Sequence, residues 1–300
     1  MLRKCTLALA QYPITFFQDW AMYEKHVERW INEALPADIA VFPEYGSMEL
    51  VSLLPIEIRN DLHEQILAMQ QFLPDFLELY ARLARKTGCI LVAPSFPVQE
   101  KGKMVNRVHV FGSKGLAGYQ DKHFMTRFEN EDWSISPGEY AYTLFEAVWG
   151  TFGIQICYDV EFAIGSKKLA ENGAQLILAP SCTETIRGAN RVHVGARARA
   201  MENQCYVGVS QTILHSEWSL AVDINYGFAG VYATPDIGFP EDGMLSQGIH
   251  NKAKWHKQEL DFSLIDQVRK KGSVFNFADH GLIRSELIHN NPALIRKIKL

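Results

Sequence analysis

The stretch at residues 153–162, GIQICYDVEF, constrains the fold of this chain more than any other. Its apolar, β-branched lead-in (Ile154, Ile156) stops at Cys157 and gives way to polar residues and then a helical pattern. That predicts a buried strand ending in a sharp strand-to-helix turn. In α/β folds the carboxyl ends of strands border the ligand crevice, so a thiol at such a corner faces substrate, and the first N–H groups of the next helix face an anion. A free cysteine taken alone is more often a small buried hydrophobe. An ordinary thiol, with a pKa of about 8.5, is only a few per cent thiolate at neutral pH, so a nucleophilic Cys157 requires a base and a cation from elsewhere in the chain.

The composition, 47% hydrophobic and 21% charged over 300 residues, fits a globular protein with a large core and excludes disordered and fibrous classes. A net charge of -4 without a basic run argues against a nucleic-acid surface or a polybasic membrane anchor, leaving a small molecule as the expected partner. The five cysteines (Cys5, Cys89, Cys157, Cys182, Cys205) are scattered, odd in number and without CxxC or zinc-type spacing, which predicts reduced thiols, no metal and a cytoplasmic setting. The opening MLRKCTLALAQYP meets Gln11, Tyr12 and Pro13 without a small-residue cleavage site, so it reads as a first strand rather than a signal peptide. No segment approaches the roughly 20 apolar residues of a membrane span.

Taken in order, residues 4–12 predict a strand, 19–35 a helix, and 37–42 a short buried strand that Pro43-Glu44 ends. The stretch 57–87 is helical in pattern with a break expected at Pro74, and 89–96 predicts a third strand. RVHVFGS and LAGYQDKHF flank Lys114-Gly115 as a hairpin, with Lys122 near its far end. Residues 125–139, MTRFENEDWSISPGE, predict a polar loop. A second hairpin around Gly150 delivers Cys157; then come a helix over 161–172, a strand over 174–182, a helix over 189–203 and a strand over 205–212. Three strand-like runs (226–234, 244–250, 255–262) and a helix over 263–271 complete one layered domain, 1–272. The tail 273–300 is less regular and is expected to pack on this domain or on a neighbouring subunit.

Glu44, Lys122 and Cys157 therefore follow the ends of three different strands. A cysteine attacking an amide carbonyl needs a carboxylate to take its proton, a cation or N–H donors for the oxyanion, and an acid for the leaving amine. A Glu, a Lys and the amide after the cysteine meet those needs.

PE at 43–44, DK at 121–122 and ICYD at 156–159, in that order, resemble the nitrilase superfamily of carbon–nitrogen hydrolases. Single dipeptides occur by chance, and the specificity lies in the ordered set, with 78 residues from Glu44 to Lys122 and 35 from Lys122 to Cys157. NEDWSISPG, which contains Glu131, is similar to the loop where many members place a second glutamate ahead of Pro-Gly, and RARAMENQCYVGVSQ resembles a later family segment. The likeness runs from about residue 4 to about residue 250. It implies a four-layer α-β-β-α sandwich, cysteine hydrolysis without metal or cofactor, and a homodimer or larger homo-oligomer. It also assigns Glu44 as base, Lys122 and the Tyr158 N–H as oxyanion donors, Cys157 as nucleophile, and Glu131 as the carboxylate that holds Lys122.

Two positions depart from the pattern: Phe124 stands where many members have a histidine, with His123 beside Lys122, and Phe162-Ala163-Ile164 replaces Phe-Pro-Glu. Each residue also has a plainer reading, as a capping or solvated carboxylate for Glu44 and Glu131 and a solvated hairpin lysine for Lys122. The ordered set outweighs these. Trp133, Phe128, Tyr45 and Cys182 are candidates to line the pocket, whereas Arg191, Arg197, Arg199 and His193 read as a solvated or subunit-facing helix rather than an anion site. Because CYD is similar to amidase-type members, a small amide is the expected substrate. A nitrile or N-carbamoyl substrate, or an inactive binding or scaffold homologue, are the alternatives.

Overall fold

A computed structural model describes residues 3–282 and residue 296. The first strand, Lys4–Pro13, is buried on both faces. Its alternation sends Ala8, Ala10 and Tyr12 into one core and Leu7 and Leu9 into another. Helices Trp20–Ala34 and Leu73–Thr87 cover the first core with Val27, Trp30, Ile31, Phe76, Leu79 and Leu83. In the second core Leu7, Leu9, Val41 and Val92 meet Phe152, Ile154, Leu178 and Val209 from the other half of the sheet. Helix Ile186–Asn203 closes that half with Val192, Ala196 and Ala200. The result is the α-β-β-α layering expected.

From one edge the strands run Phe96–Glu100, Lys103–Gly112, Ile90–Val92, Ile39–Val41, Lys4–Pro13, Tyr206–His215, Leu176–Ser181, Gly150–Ile154 and Leu144–Ala147. The halves join where residues 11–13 pair in parallel with 211–213, while residues 4–11 pair antiparallel with Lys254–Asp261. Ile39–Val41, Gly150–Ile154 and Leu176–Ser181 belong to the parallel part of the sheet on either side of that junction, so Glu44, Cys157 and Cys182 leave it from the same ends. This is where a parallel sheet opens a ligand crevice.

Several boundaries differ from the sequence expectation, four of them as follows. Pro74 does not break the 57–87 helix; it sits in the first turn of Leu73–Thr87, where its missing donor costs nothing, and the interruptions lie upstream, at Asn60-Asp61 and in the 3-10 turn Met69–Phe72. The 89–96 run splits around Pro94 into Ile90–Val92 and Phe96–Glu100. The 189–203 helix starts earlier, at Ile186, because Thr185 Oγ1 accepts the Gly188 N–H at 3.1 Å. The polar 125–139 loop contains the helix Arg127–Glu131.

Just past residue 272, Val274 and Phe277 contact the preceding layers. Gln204 donates to the Val274 carbonyl at 3.1 Å and accepts the Phe277 N–H at 3.2 Å, and the Arg269 guanidinium lies 3.9 Å from the Phe277 ring centre. The rest of the expected tail, 283–295 and 297–300, lies outside the described residues. Among the described residues no helix is long and apolar enough to cross a membrane.

Candidate active site

Glu44 follows the buried strand Ile39–Val41 and is 1% exposed. The next residue, Tyr45, adopts a left-handed backbone (φ 54°), a conformation that costs a non-glycine side chain on the order of 1 kcal/mol. Its N–H is held by Ser95 Oγ at 2.8 Å. The turn aims Glu44 inward, where Oε1 accepts Lys122 Nζ at 2.7 Å and Asn106 Nδ2 at 2.9 Å and Oε2 accepts the Cys182 N–H at 2.9 Å.

Lys122 leaves the hairpin strand Gly115–Asp121 with its N–H bonded to the Asn106 carbonyl at 2.9 Å and its carbonyl accepting the Gly138 N–H at 3.0 Å. Its ammonium is buried between two carboxylates, Glu44 at 2.7 Å and Glu129 at 2.6 Å. Glu129, not Glu131, is the second carboxylate. Glu131 points outward from the same short helix and pairs with Arg127 at 2.6 Å, both side chains being more than half exposed. Thr126 caps this helix: Glu129 Oε2 accepts both the Thr126 N–H and its hydroxyl at 2.8 Å, while the Glu129 N–H donates to Thr126 Oγ1 at 3.4 Å. That arrangement turns position 129 inward. Position 131, two residues on, faces away, because residues two apart lie on different faces of a helix.

Cys157 is the first residue of the 3-10 turn Cys157–Glu161, also with a left-handed backbone (φ 48°), and is 4% exposed. Its thiol donates to the Cys182 carbonyl at 3.6 Å and has Glu44 as a second hydrogen-bonding neighbour. The Tyr158 N–H, second in the turn, has no acceptor within the helix.

The electrostatics follow from burial opposed by pairing. Burial pushes the Glu44 carboxyl above its usual range, Lys122 opposes this, and Glu129 adds to it. Glu129 goes the other way: against the cost of burial, the Lys122 charge and the hydrogen bonds from Lys122, Thr126 and Tyr45 hold it below the usual carboxylate range. Lys122 resists the downward pull of burial because Glu129 and Glu44 flank it, and it stays an ammonium. Burial and the Glu44 charge push the Cys157 thiol up, with Lys122 opposing. The resting site thus holds a protonated thiol beside the more basic of two carboxylates.

A cavity of about 630 Å³ opens over these groups. Tyr45, Trp133, Phe128 and Cys182 are among its lining residues, and so is Tyr158, whose backbone N–H the sequence reading assigned to the oxyanion. Tyr45 does more than line it, since its hydroxyl donates to Glu129 Oε1 at 2.7 Å while its ring packs edge-on against Trp133 at 4.9 Å. Cys182 works through its backbone, its N–H on Glu44 and its carbonyl facing Cys157; its own thiol donates to Asn225 Oδ1 at 3.3 Å. Arg191 reaches the cavity but pairs with Glu161 at 3.4 Å. Arg197 turns to the Asp242 carbonyl, Arg199 to Glu202, and His193 is buried against Tyr232. Among the described residues no three His, Cys, Asp or Glu side chains gather as metal ligands would.

Sequence reasoning missed Glu129 and Asn106. For Glu129 a signal was present, Thr126-Arg127-Phe128-Glu129 being a capping-box pattern. Asn106, in the middle of strand Lys103–Gly112, carries none.

The model of the carbon–nitrogen hydrolase family matches residues 6–226. This chain belongs to that family. It is 30% identical over 293 residues to the probable hydrolase YhcX of Bacillus subtilis, covering 96% of this chain and 55% of the relative. It is also 30% identical over 139 residues to the human omega-amidase NIT2, covering 43% of this chain and 50% of the relative. The chain spans about half the length of the curated relatives it matches. Among solved structures of the superfamily, Saccharomyces cerevisiae Nit3 superposes with a TM-score of 0.67 at 24% identity over 89% of this chain and 93% of that one. A carbon–nitrogen hydrolase from Helicobacter pylori superposes with a TM-score of 0.74 at 14% identity, over 94% and 99%. At such identities the superpositions establish the shared sandwich fold.

Proposed function

We propose that this chain hydrolyses the carbon–nitrogen bond of a small amide through a thioester on Cys157, with Glu44 as general base and acid and Lys122 as oxyanion donor. The observation that carries this reading is the Lys122 ammonium held at 2.7 and 2.6 Å between two buried carboxylates, beside a thiol on a left-handed strand corner in a cavity. An inactive scaffold would have no reason to retain so costly a buried array.

In the first half-reaction Glu44 takes the thiol proton as Cys157 Sγ bonds to the carbonyl carbon. The carbonyl electron pair moves onto oxygen, facing Lys122 Nζ and the Tyr158 N–H; one donor of this kind is typically worth ~3–4 kcal/mol. Collapse breaks the C–N bond, and Glu44 returns the proton to the leaving nitrogen. In the second half-reaction Glu44 takes a proton from water as its oxygen attacks the thioester, and the sulfur leaves with that proton, giving a carboxylic acid and the free thiol. Raised basicity at Glu44 suits both transfers. Glu129 stays ionised and keeps Lys122 charged and in place.

The CYD turn and the omega-amidases among the relatives favour amides over nitriles and carbamoyl compounds as substrates. The test is ammonia release from a panel of short amides, ω-amides, carbamoyl compounds and nitriles. At least one amide should be turned over, and Cys157→Ala should abolish it; ammonia release that survives Cys157→Ala sinks the reading. A cytoplasmic setting belongs to the same reading, supported by five free cysteines, and so does a homodimer or larger assembly, supported by exposed Val194 and Met201 on helix Ile186–Asn203. Sedimentation of the purified chain decides its assembly state.

A further inference from the structure

Asp159, two residues after the nucleophile, is buried but is not part of the cavity wall. Its backbone builds the corner: its N–H donates to the Ile156 carbonyl at 3.0 Å, and its carbonyl accepts the Phe162 N–H at 3.2 Å. Its carboxylate faces the lysine loop, accepting the Phe124 N–H at 2.7 Å and the His123 N–H at 3.1 and 3.3 Å. These are the two residues directly after Lys122. A second clasp lies alongside, where the Phe124 ring stacks on Phe162 with centres 4.2 Å apart. The departure at 124 thus packs against Phe162, the residue just before the departure at 163–164.

We propose that Asp159 is a positioning residue which, with the Phe124–Phe162 stack, latches the lysine loop to the nucleophile turn and so sets the placement of the Lys122 ammonium relative to Cys157 Sγ. The proposal deepens the hydrolase reading and rests on it for its consequence in turnover. Oδ1 accepts both N–H groups and Oδ2 faces the His123 N–H at 3.3 Å, so an amide at this place loses the negative charge and sets its NH₂ against the His123 N–H. Burial pushes the Asp159 carboxyl up to about 7, with Lys122 and the two backbone amides opposing and Glu44 adding to it. Tyr142 is a further titratable neighbour. Proton uptake near neutrality removes the charge from that acceptor and sets an O–H on Oδ2 against the His123 N–H, so the latch loosens on the acid side.

The test compares Asp159→Asn and Phe124→Leu with the wild type on two readouts. One is the iodoacetamide alkylation rate of Cys157 from mildly acidic to mildly alkaline pH, which needs no substrate. The other is kcat and KM on whichever amide the wild type hydrolyses. Asp159→Asn should lower kcat about 10- to 100-fold, with KM within about threefold, since misplacing a reacting group by about 1 Å has that order of effect. It should also flatten the part of the alkylation profile that falls below about pH 7 in the wild type. Phe124→Leu should lower kcat by a smaller factor, about threefold to tenfold. A folded Asp159→Asn protein with wild-type kcat and alkylation overturns the latch while leaving the hydrolase reading intact. Should Asp159→Asn fail to fold, Phe124→Leu decides, and wild-type kcat in it overturns the latch. If no amide is hydrolysed by the wild type but alkylation slows in Asp159→Asn, the latch stands and the hydrolase reading falls.

Discussion

The short helix Arg127–Glu131 carries two ion pairs of the same length in opposite surroundings. Glu129 meets Lys122 at 2.6 Å with both side chains 3% exposed or less, and Glu131 meets Arg127 at 2.6 Å with side chains 56% and 82% exposed. Distance does not separate them; solvent does. Water screens the outer pair and hydrates each partner as well as the other partner does, so its making or breaking changes little. The inner pair has given up its water, and removing one member leaves an uncompensated buried charge, at a cost on the order of 3–5 kcal/mol. A carboxylate near a lysine becomes part of a site through desolvation and through what else holds it.

The sharpest way to break this comparison is to neutralise each carboxylate in turn. After Cys157→Ala, which removes the nucleophile outright, Glu129→Gln should have the largest effect, a loss in kcat on the order of 10²-fold or more with lowered stability. Equal loss from Glu131→Gln would erase the distinction. The stability part carries a pH signature. Glu129 is held below the usual carboxylate range, so as pH falls the unfolded chain takes up the proton first. The stability Glu129 contributes is therefore present above the ordinary glutamate pKa of about 4.3 and is lost as pH falls through its lower folded value. Denaturation midpoints of the wild type and Glu129→Gln should converge in acid.

Tyr45→Phe removes one donor from Glu129 and should cost less, about 5- to 20-fold in kcat, corresponding to a hydrogen bond to a charged group. Thr126→Ala removes the cap that turns Glu129 inward and should cost about 1 kcal/mol in denaturant unfolding, with a several-fold fall in kcat. Smallest of all, Glu131→Gln should leave kcat within about twofold and the melting temperature unmoved. A large effect there would mean that the outer pair takes part in the chemistry.

Much of the frame is legible without coordinates. The strand-and-helix order follows from periodicity and from turns at Gly115, Gly150 and Gly173, and Glu44, Lys122 and Cys157 stand out because each follows a strand and the three motifs keep family order. Where the reading slipped, the cause was a local signal with two meanings: Pro74 reads as a breaker and acts as a helix starter, and Thr126-x-x-Glu129 reads as loop polarity and acts as a cap. Asn106 and the Asp159 latch had no local signal, because their partners lie on other elements, Glu44 and the loop after Lys122.

The order of residues along the chain decided the elements, the motif set and the family, since those depend on neighbours a few positions apart. Which carboxylate of the ENED run touches the lysine depended on which face of one helical turn met the interior, and that was decided by packing between distant segments. Burial and shared hydrogen bonds are properties of the folded whole, and they, rather than residue type, make one glutamate part of the site and its neighbour part of the surface.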